Sequence, residues 1–156
     1  MLEVGAGTGA DAKFFADRGI EVVATDLSAE MVSLCRAKGL EAYQADFLSL
    51  DFPPASFDAV YAMLCLLHVP DDDLDRVLER LAVLLRPEGL LFVGVYGGND
   101  EHGRFPEDDH DPPRFFAFRS DAAVRAAVEA RFEVLDFHVV EPDDFHFQSL
   151  TARKRT

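Results

Sequence analysis

Three carboxylates and a run of glycines carry the chemistry this sequence offers. Gly5-Ala6-Gly7-Thr8-Gly9 stands directly after the short run Leu2-Glu3-Val4 and before a helical stretch. A glycine-rich turn between strand and helix lets ligand atoms approach bare backbone, where a Cβ would collide. Glu3 lies two residues ahead of the first glycine, a place where a dinucleotide-binding strand more often carries an apolar residue. Asp26 ends a second β-rich run and is placed to accept hydrogen bonds from two ribose hydroxyls. Asp46 ends a third, placed to accept from an exocyclic adenine amine, with Phe47 beside it offering an aromatic face. All three carboxylates fall at the carboxyl ends of strands, the edge where open α/β sheets bind ligands. The glycines alone do not choose the ligand, because Gly5-x-Gly7-x-x-Ala10 also fits the dinucleotide fingerprint. Taken singly, Asp26 or Asp46 reads as a turn or cap residue. Three carboxylates in register with the loop weigh against a plain turn.

The elements that must position these groups alternate between strand and helix, which argues for a mostly parallel sheet covered by helices. Residues 10–18 read as a helix stopped at Gly19, and Ile20 to Thr25 as a β-branched strand. Ser28 caps a helix through about Lys38, and Leu40 to Ala45 is a third strand. Asp51 to Ser56 is a turn, and Phe57 to Leu64 has the few polar residues of a strand buried on both faces. Leu74, Val77, Leu78, Leu81, Leu84 and Leu85 follow helical spacing behind Asp71-Asp72-Asp73, and Pro87 with Gly89 ends that helix. The aspartates read as a helix start rather than a metal site. Leu90 to Tyr96 is a fifth strand, and Gly97 to about Arg119 a long loop without periodicity. Ser120 to Ala130 is a helix, followed by strands at 132–140 and from Phe145 to about Arg153, joined by Glu-Pro-Asp-Asp as an antiparallel hairpin.

Composition narrows the partners. The 29 acidic and 15 basic residues give a formal charge of −14, which repels phosphate backbones and anionic lipid, so nucleic acid and membrane surfaces are poor partners. Cys35 and Cys65 are too few for a disulfide framework or a four-ligand zinc site and read as reduced thiols of a cytoplasmic protein. No run approaches the ~20 apolar residues that span a bilayer. The 156 residues are read as one domain, residues 1–156.

The residues LEVGAGTG (2–9), ATDLSAEM (24–31), QADF (44–47), FDAVYAMLCLLHVP (57–70) and LLRPEGLLFVGVYGG (84–98) together resemble class I S-adenosylmethionine-dependent methyltransferases. The resemblance extends over most of the chain, terminal hairpin included. It implies an α/β, Rossmann-like, doubly wound seven-stranded sheet of order 3-2-1-4-5-7-6 with strand 7 antiparallel. It also implies an enzyme that transfers a methyl group from S-adenosylmethionine to a small-molecule acceptor. By the same resemblance Gly5, Ala6 and Gly7 would pass under the methionine part of the cofactor and Glu3 would hold its amino group. Asp26 would hold the ribose, Leu27 and Met31 would flank the adenine, and Asp46 with Phe47 would read its edge. Ala62 and Met63 would line the methionine side and face the acceptor. Two other readings stay open: a nucleotide-binding Rossmann protein of the NAD type, and a cofactor-binding module without turnover.

The acceptor side is less legible. The segment from 97 to 119 follows the fifth strand at the ligand-binding edge, so His110, Arg114 and Phe115 are candidate acceptor residues, together with His68 at a strand-to-helix junction. His68 reads first as a structural hydrogen-bonding residue. Glu107-Asp108-Asp109-His110-Asp111 has the donors of a Mg²⁺ or Mn²⁺ site, yet consecutive residues in a proline-flanked loop rarely converge on one ion, so no metal is expected. His68, His102 and His110 are candidate bases and nothing chooses among them; no catalytic residue is named. Met1 stands where an ordinary strand residue would be, and relatives of this kind carry one or two helices upstream. The expectation is a fragment or a start placed too far downstream, with marginal stability and weak cofactor binding.

Overall fold

The structure is a computed structural model and describes residues 1–141 and 145–155. The chain runs β1 (Leu2–Val4), α1 (Ala10–Ala16), β2 (Val23–Asp26), α2 (Ala29–Ala37), β3 (Glu41–Gln44), β4 (Phe57–Met63), α3 (Asp71–Leu84) and β5 (Leu85–Tyr96). It continues with β6 (Glu101–Gly103), β7 (Phe116–Phe118), α4 (Asp121–Glu129), β8 (Phe132–Val140) and β9 (Phe147–Lys154). Seven strands form one sheet of order β3-β2-β1-β4-β5-β9-β8, parallel except that β9 runs against both β5 and β8. This is the order that the resemblance implies, with β8 and β9 as its sixth and seventh strands. Residues 142–144 of the turn between them lie outside the described residues.

Side chains alternate across β1 and thereby sort the site from the core. Leu2 and Val4 are fully buried in the larger apolar cluster, which α3 covers with Leu74, Val77, Leu78, Leu81 and Leu84. Glu3 points the other way, toward the side on which α1 and α2 seal a smaller cluster of Ala6, Ala12, Ala24, Val32, Cys35, Leu40 and Ala42. After β1 the chain moves outward through β2 and β3, then crosses back to build β4 and β5 on the other side. That reversal is the switch point at which open α/β sheets form a ligand crevice, here at the carboxyl ends of β1 and β4.

Two expectations are corrected. The helix α3 ends at Leu84, ahead of Pro87 and Gly89, and Leu85 already has extended backbone. Leu85 pairs with Phe57 and is fully buried, while residues 86–89 bulge before Leu90 resumes the ladder opposite Ala59. Proline disfavours helical backbone at the residue before it, so the turn begins earlier than the apolar stripe suggests. The segment 97–119 is likewise not structureless: β6 and β7 form a two-stranded antiparallel sheet within it, Glu101 facing Phe118 and Gly103 facing Phe116. Among the described residues no helix is long and apolar enough to cross a membrane.

Candidate functional site

The turn after β1 is held in left-handed backbone by its glycines. Gly5 (φ +66) lies so close to the strand-to-helix junction after β4 that a Cβ there would sit 2.4 Å from Cys65 Cβ. Gly7 (φ +53) is different, since a Cβ built on it meets nothing within 4 Å. One glycine is required by packing, the other faces open space. Gly7 N–H donates to Asp26 Oδ2 at 2.8 Å and Ala6 N–H to Thr25 O at 2.9 Å, so the loop is fastened to the end of β2. The Cys35 thiol donates to Gly7 O at 3.3 Å and the Cys65 thiol to Val4 O at 3.1 Å, and burial pushes both thiols up. The two cysteines are neutral buttresses of the loop.

Glu3 is the anomalous group. It is 3% exposed, and its Oε2 has no hydrogen-bond partner. Burial first, then the neighbouring Asp11 carboxylate, raises it to about 7. A buried carboxylate oxygen without a partner is costly and calls for a donor from outside the chain. Asp26 uses Oδ2 on Gly7 N–H and Oδ1 on Ser28 N–H at 2.9 Å, shaping the loop and the start of α2 together. Asp46 accepts from Leu48 N–H at 2.8 Å and caps a short helical turn, Phe47–Ser49. Leu27 is 67% exposed beside Asp26, Met31 is half-buried on α2, and Phe47 lies against the main core. Ala62 is fully buried in that core, so its side chain does not reach the crevice, whereas Met63 is half-buried at the end of β4.

The β6–β7 hairpin stands above the junction from β4 to α3. His68 Nδ1–H donates to Phe115 O at 2.8 Å, and its ring meets Phe116 edge-on at 4.7 Å. Burial lowers its pKa and keeps the imidazole neutral. His68 is therefore a latch between the two segments, as the structural reading of it expects. Arg114 forms a forked pair with Asp108, which holds Asp108 down at about 2, and Arg114 also lies over the Phe116 ring. His110 reaches toward the same carboxylate at 3.6 Å and remains largely exposed. Among the described residues no group of three His, Cys, Asp or Glu is arranged to hold a metal ion. Arg119, which sequence reasoning passed over as the end of a loop, is 6% exposed and donates to Asp71 Oδ1 at 2.8 Å and Val69 O at 2.6 Å. Its partners lie some fifty residues away, beyond any local pattern.

Residues 1–89 match the profile that defines the methyltransferase domain family. The chain belongs to that family. The phosphatidylethanolamine N-methyltransferase of Cereibacter sphaeroides is 31% identical to this methyltransferase domain over 154 residues, 91% of this chain and 74% of the relative. The ubiquinone biosynthesis O-methyltransferase of Xylella fastidiosa is 38% identical over 102 residues, and the alignment spans 61% of this chain but only 41% of that relative's length. A crystal structure of the Burkholderia thailandensis 1,6-didemethyltoxoflavin-N1-methyltransferase, with 1,6-didemethyltoxoflavin and S-adenosylhomocysteine bound, superposes with a TM-score of 0.82 at 26% identity. That match covers 99% of the methyltransferase domain and 70% of the other chain.

Proposed function

We propose that residues 1–156, as one domain, bind S-adenosylmethionine at the carboxyl ends of β1, β2 and β3 and transfer its methyl group to a small-molecule acceptor. The observation that carries this reading is the pairing of an orphaned, buried Glu3 oxygen with a glycine turn left open at Gly7. An ammonium at the methionine end would give Glu3 the donor it lacks, and the bare backbone from Gly5 to Gly7 would admit the chain that carries it. Asp26 and Asp46 would hold the ribose and the adenine edge, with Leu27, Met31 and Phe47 flanking the base. Met63 would face the acceptor, and Ala62 contributes backbone only.

When bound, the cofactor supplies a methyl group already made electrophilic by its sulfonium. What remains for the chain is alignment, which supplies up to ~7–11 kcal/mol of a barrier in favourable cases. The loop fastened by Asp26, Cys35 and Cys65 fixes one reactant, and the hairpin latched by His68 and Arg119 bounds the space for the other. His68 works here through its bond to Phe115 O and is assigned no proton transfer. The acidic surface favours neutral or cationic acceptors over polyanions. Two buried reduced thiols support a cytoplasmic setting.

Calorimetry with S-adenosylmethionine, S-adenosylhomocysteine and NAD, followed by a labelled-methyl screen over phenol and amine acceptors, tests the proposal. Binding of the first two together with transfer to one acceptor class is the expected result. Binding of NAD in their place would make the chain a nucleotide-binding protein of another kind. Cofactor binding with no transfer to any acceptor would reduce it to a binding module.

A further inference from the structure

Asp11, the neighbour of Glu3, lies in the first turn of α1. Its Oδ2 accepts from the Tyr61 hydroxyl at 3.3 Å. Tyr61 is the residue directly opposite Glu3 in the β1–β4 ladder, and its ring is fixed by stacking on Phe92 at 4.9 Å and by the edge of Phe15 at 5.1 Å. A carboxylate from the helix is thus steadied beside a carboxylate from the strand. The charged and titratable groups around Glu3 are Asp11 from α1, Asp26 from β2, Tyr61 and Cys65 from β4 and the turn after it, and Cys35 from α2, with Lys38 just past α2 acting on Cys35. The Lys38 ammonium is engaged with Thr8 O, and both oxygens of Asp26 are taken by backbone N–H groups. Among the described residues neither Glu3, Asp11 nor Asp26 enters an ion pair. Concentrated negative charge under a buried oxygen with no partner is a place built to be completed by a cation.

We propose that Asp11 is a recognition residue for the methyl donor: with Glu3 it makes a two-carboxylate seat, steadied by the Tyr61 hydroxyl, for the ammonium of the donor's amino-acid end. The inference rests on the donor reading given above. It has a consequence that a single carboxylate in water would lack. Burial first, and then the like charge of Asp11, keep a proton on Glu3 in the free chain up to about pH 7. The arriving ammonium replaces that proton, which passes to the buffer. Binding below neutrality is then an exchange of one ammonium for one proton.

Calorimetric titrations of the chain from about pH 5.5 to about pH 8.5, in buffers of different ionisation enthalpy, read this exchange directly. The two ligands are S-adenosylhomocysteine and 5′-methylthioadenosine, which keeps the nucleoside and lacks the ammonium. Affinity for the first should rise about tenfold per pH unit below the midpoint, with one proton released, while affinity for the second stays flat. Asp11→Asn should move the midpoint toward lower pH, because a like charge has gone, and weaken S-adenosylhomocysteine at alkaline pH about tenfold. Unchanged binding of 5′-methylthioadenosine shows that the variant is folded. Tyr61→Phe, which keeps the ring, should give a smaller loss of the same selectivity. The inference is overturned if Asp11→Asn leaves the midpoint and the S-adenosylhomocysteine affinity unmoved, or if both ligands weaken equally. Failure of both ligands to bind the unmodified chain would instead overturn the donor reading, and this one with it.

Discussion

Gly5 and Gly7 sit two residues apart in one turn, both in left-handed backbone, yet adding a single methyl to each should give opposite outcomes. Alanine at φ +53 costs about 1–2 kcal/mol of conformational strain and, at Gly7, touches nothing within 4 Å. Against a domain stability of about 5–15 kcal/mol, that leaves Gly7→Ala folded. Its melting temperature should fall by about 2–8 °C, at about 2–4 °C per kcal/mol for a chain of this size. The methyl would stand in the space the proposal gives to the methionine part of the cofactor, so affinity for S-adenosylhomocysteine should fall at least about 100-fold, or about 2.7 kcal/mol. Gly7→Val should abolish binding, still with a folded chain. Gly5→Ala pays the same strain and also drives its Cβ to 2.4 Å from Cys65 Cβ, whose thiol is tied to Val4 O. Overpacking of that kind adds about 1–3 kcal/mol, so Gly5→Ala should melt well below Gly7→Ala. Thermal melts and calorimetry on the two variants settle the matter. Undiminished affinity in a folded Gly7→Ala chain, or a Gly5→Ala chain as stable as Gly7→Ala, would refute the division of the turn into a packed side and a binding side.

Other substitutions probe the neighbouring groups. Asp26→Ala should lose about 1.5–3 kcal/mol of cofactor affinity, and Asp46→Ala less, because a backbone amide near Phe47 can still read the adenine; calorimetry ranking Asp46→Ala as the more damaging change would contradict this. Glu3 is raised from 4.5 to about 7, so the folded chain holds a proton there that the unfolded chain has released; its favourable contribution is complete below pH 4.5 and is lost as pH rises through 7. Glu3→Gln should therefore gain stability over the parent chain on going from about pH 5 to about pH 8, by up to about 3 kcal/mol, while binding S-adenosylhomocysteine more weakly; an equal difference in melting temperature at both pH values would exclude a buried charge. Arg119→Met should cost about 3 kcal/mol in urea unfolding, since Val69 O and Asp71 lose a buried donor, and an unshifted midpoint would contradict that role.

How legible this was depended on the range of the interactions involved. The glycine turn and the acids at 3, 26 and 46 were readable because strand end, turn and carboxylate lie within a few positions of one another. The strand order came from a resemblance rather than from periodicity, which says nothing about which strands adjoin. The hairpin of β6 and β7 escaped notice because its strands are three residues long and are held by Arg119 and His68, whose partners are distant in sequence. The role of Asp11 was hidden for the same reason, since Tyr61 meets it from fifty residues away. Ala62 is assigned to the site by its position in a motif, and strand parity adds that its side chain faces the core.

The hairpin of β6 and β7 shares no ladder with the seven-stranded sheet, and a lone two-stranded ribbon is marginal in water. Its attachments include His68 to Phe115 O, Arg119 to Val69 O, Leu66 O and Asp71, Gly98 N–H to Arg119 O at 2.7 Å, and Gln148 Nε2 to Arg119 O at 2.8 Å. Most of them join it to the junction between β4 and α3 or to its own stem, and the Gln148 bond reaches β9. In the language of hydrogen exchange, residues 97–119 and 65–71 should open as one unit, less protected than the central strands β4 and β5. Amides at His68 and Val69 should then exchange in step with those of β6 and β7, although they follow a central strand in sequence. Under the proposed function an acceptor would enter and leave past this hairpin, and the lifetime of the unit would then set how quickly it exchanges.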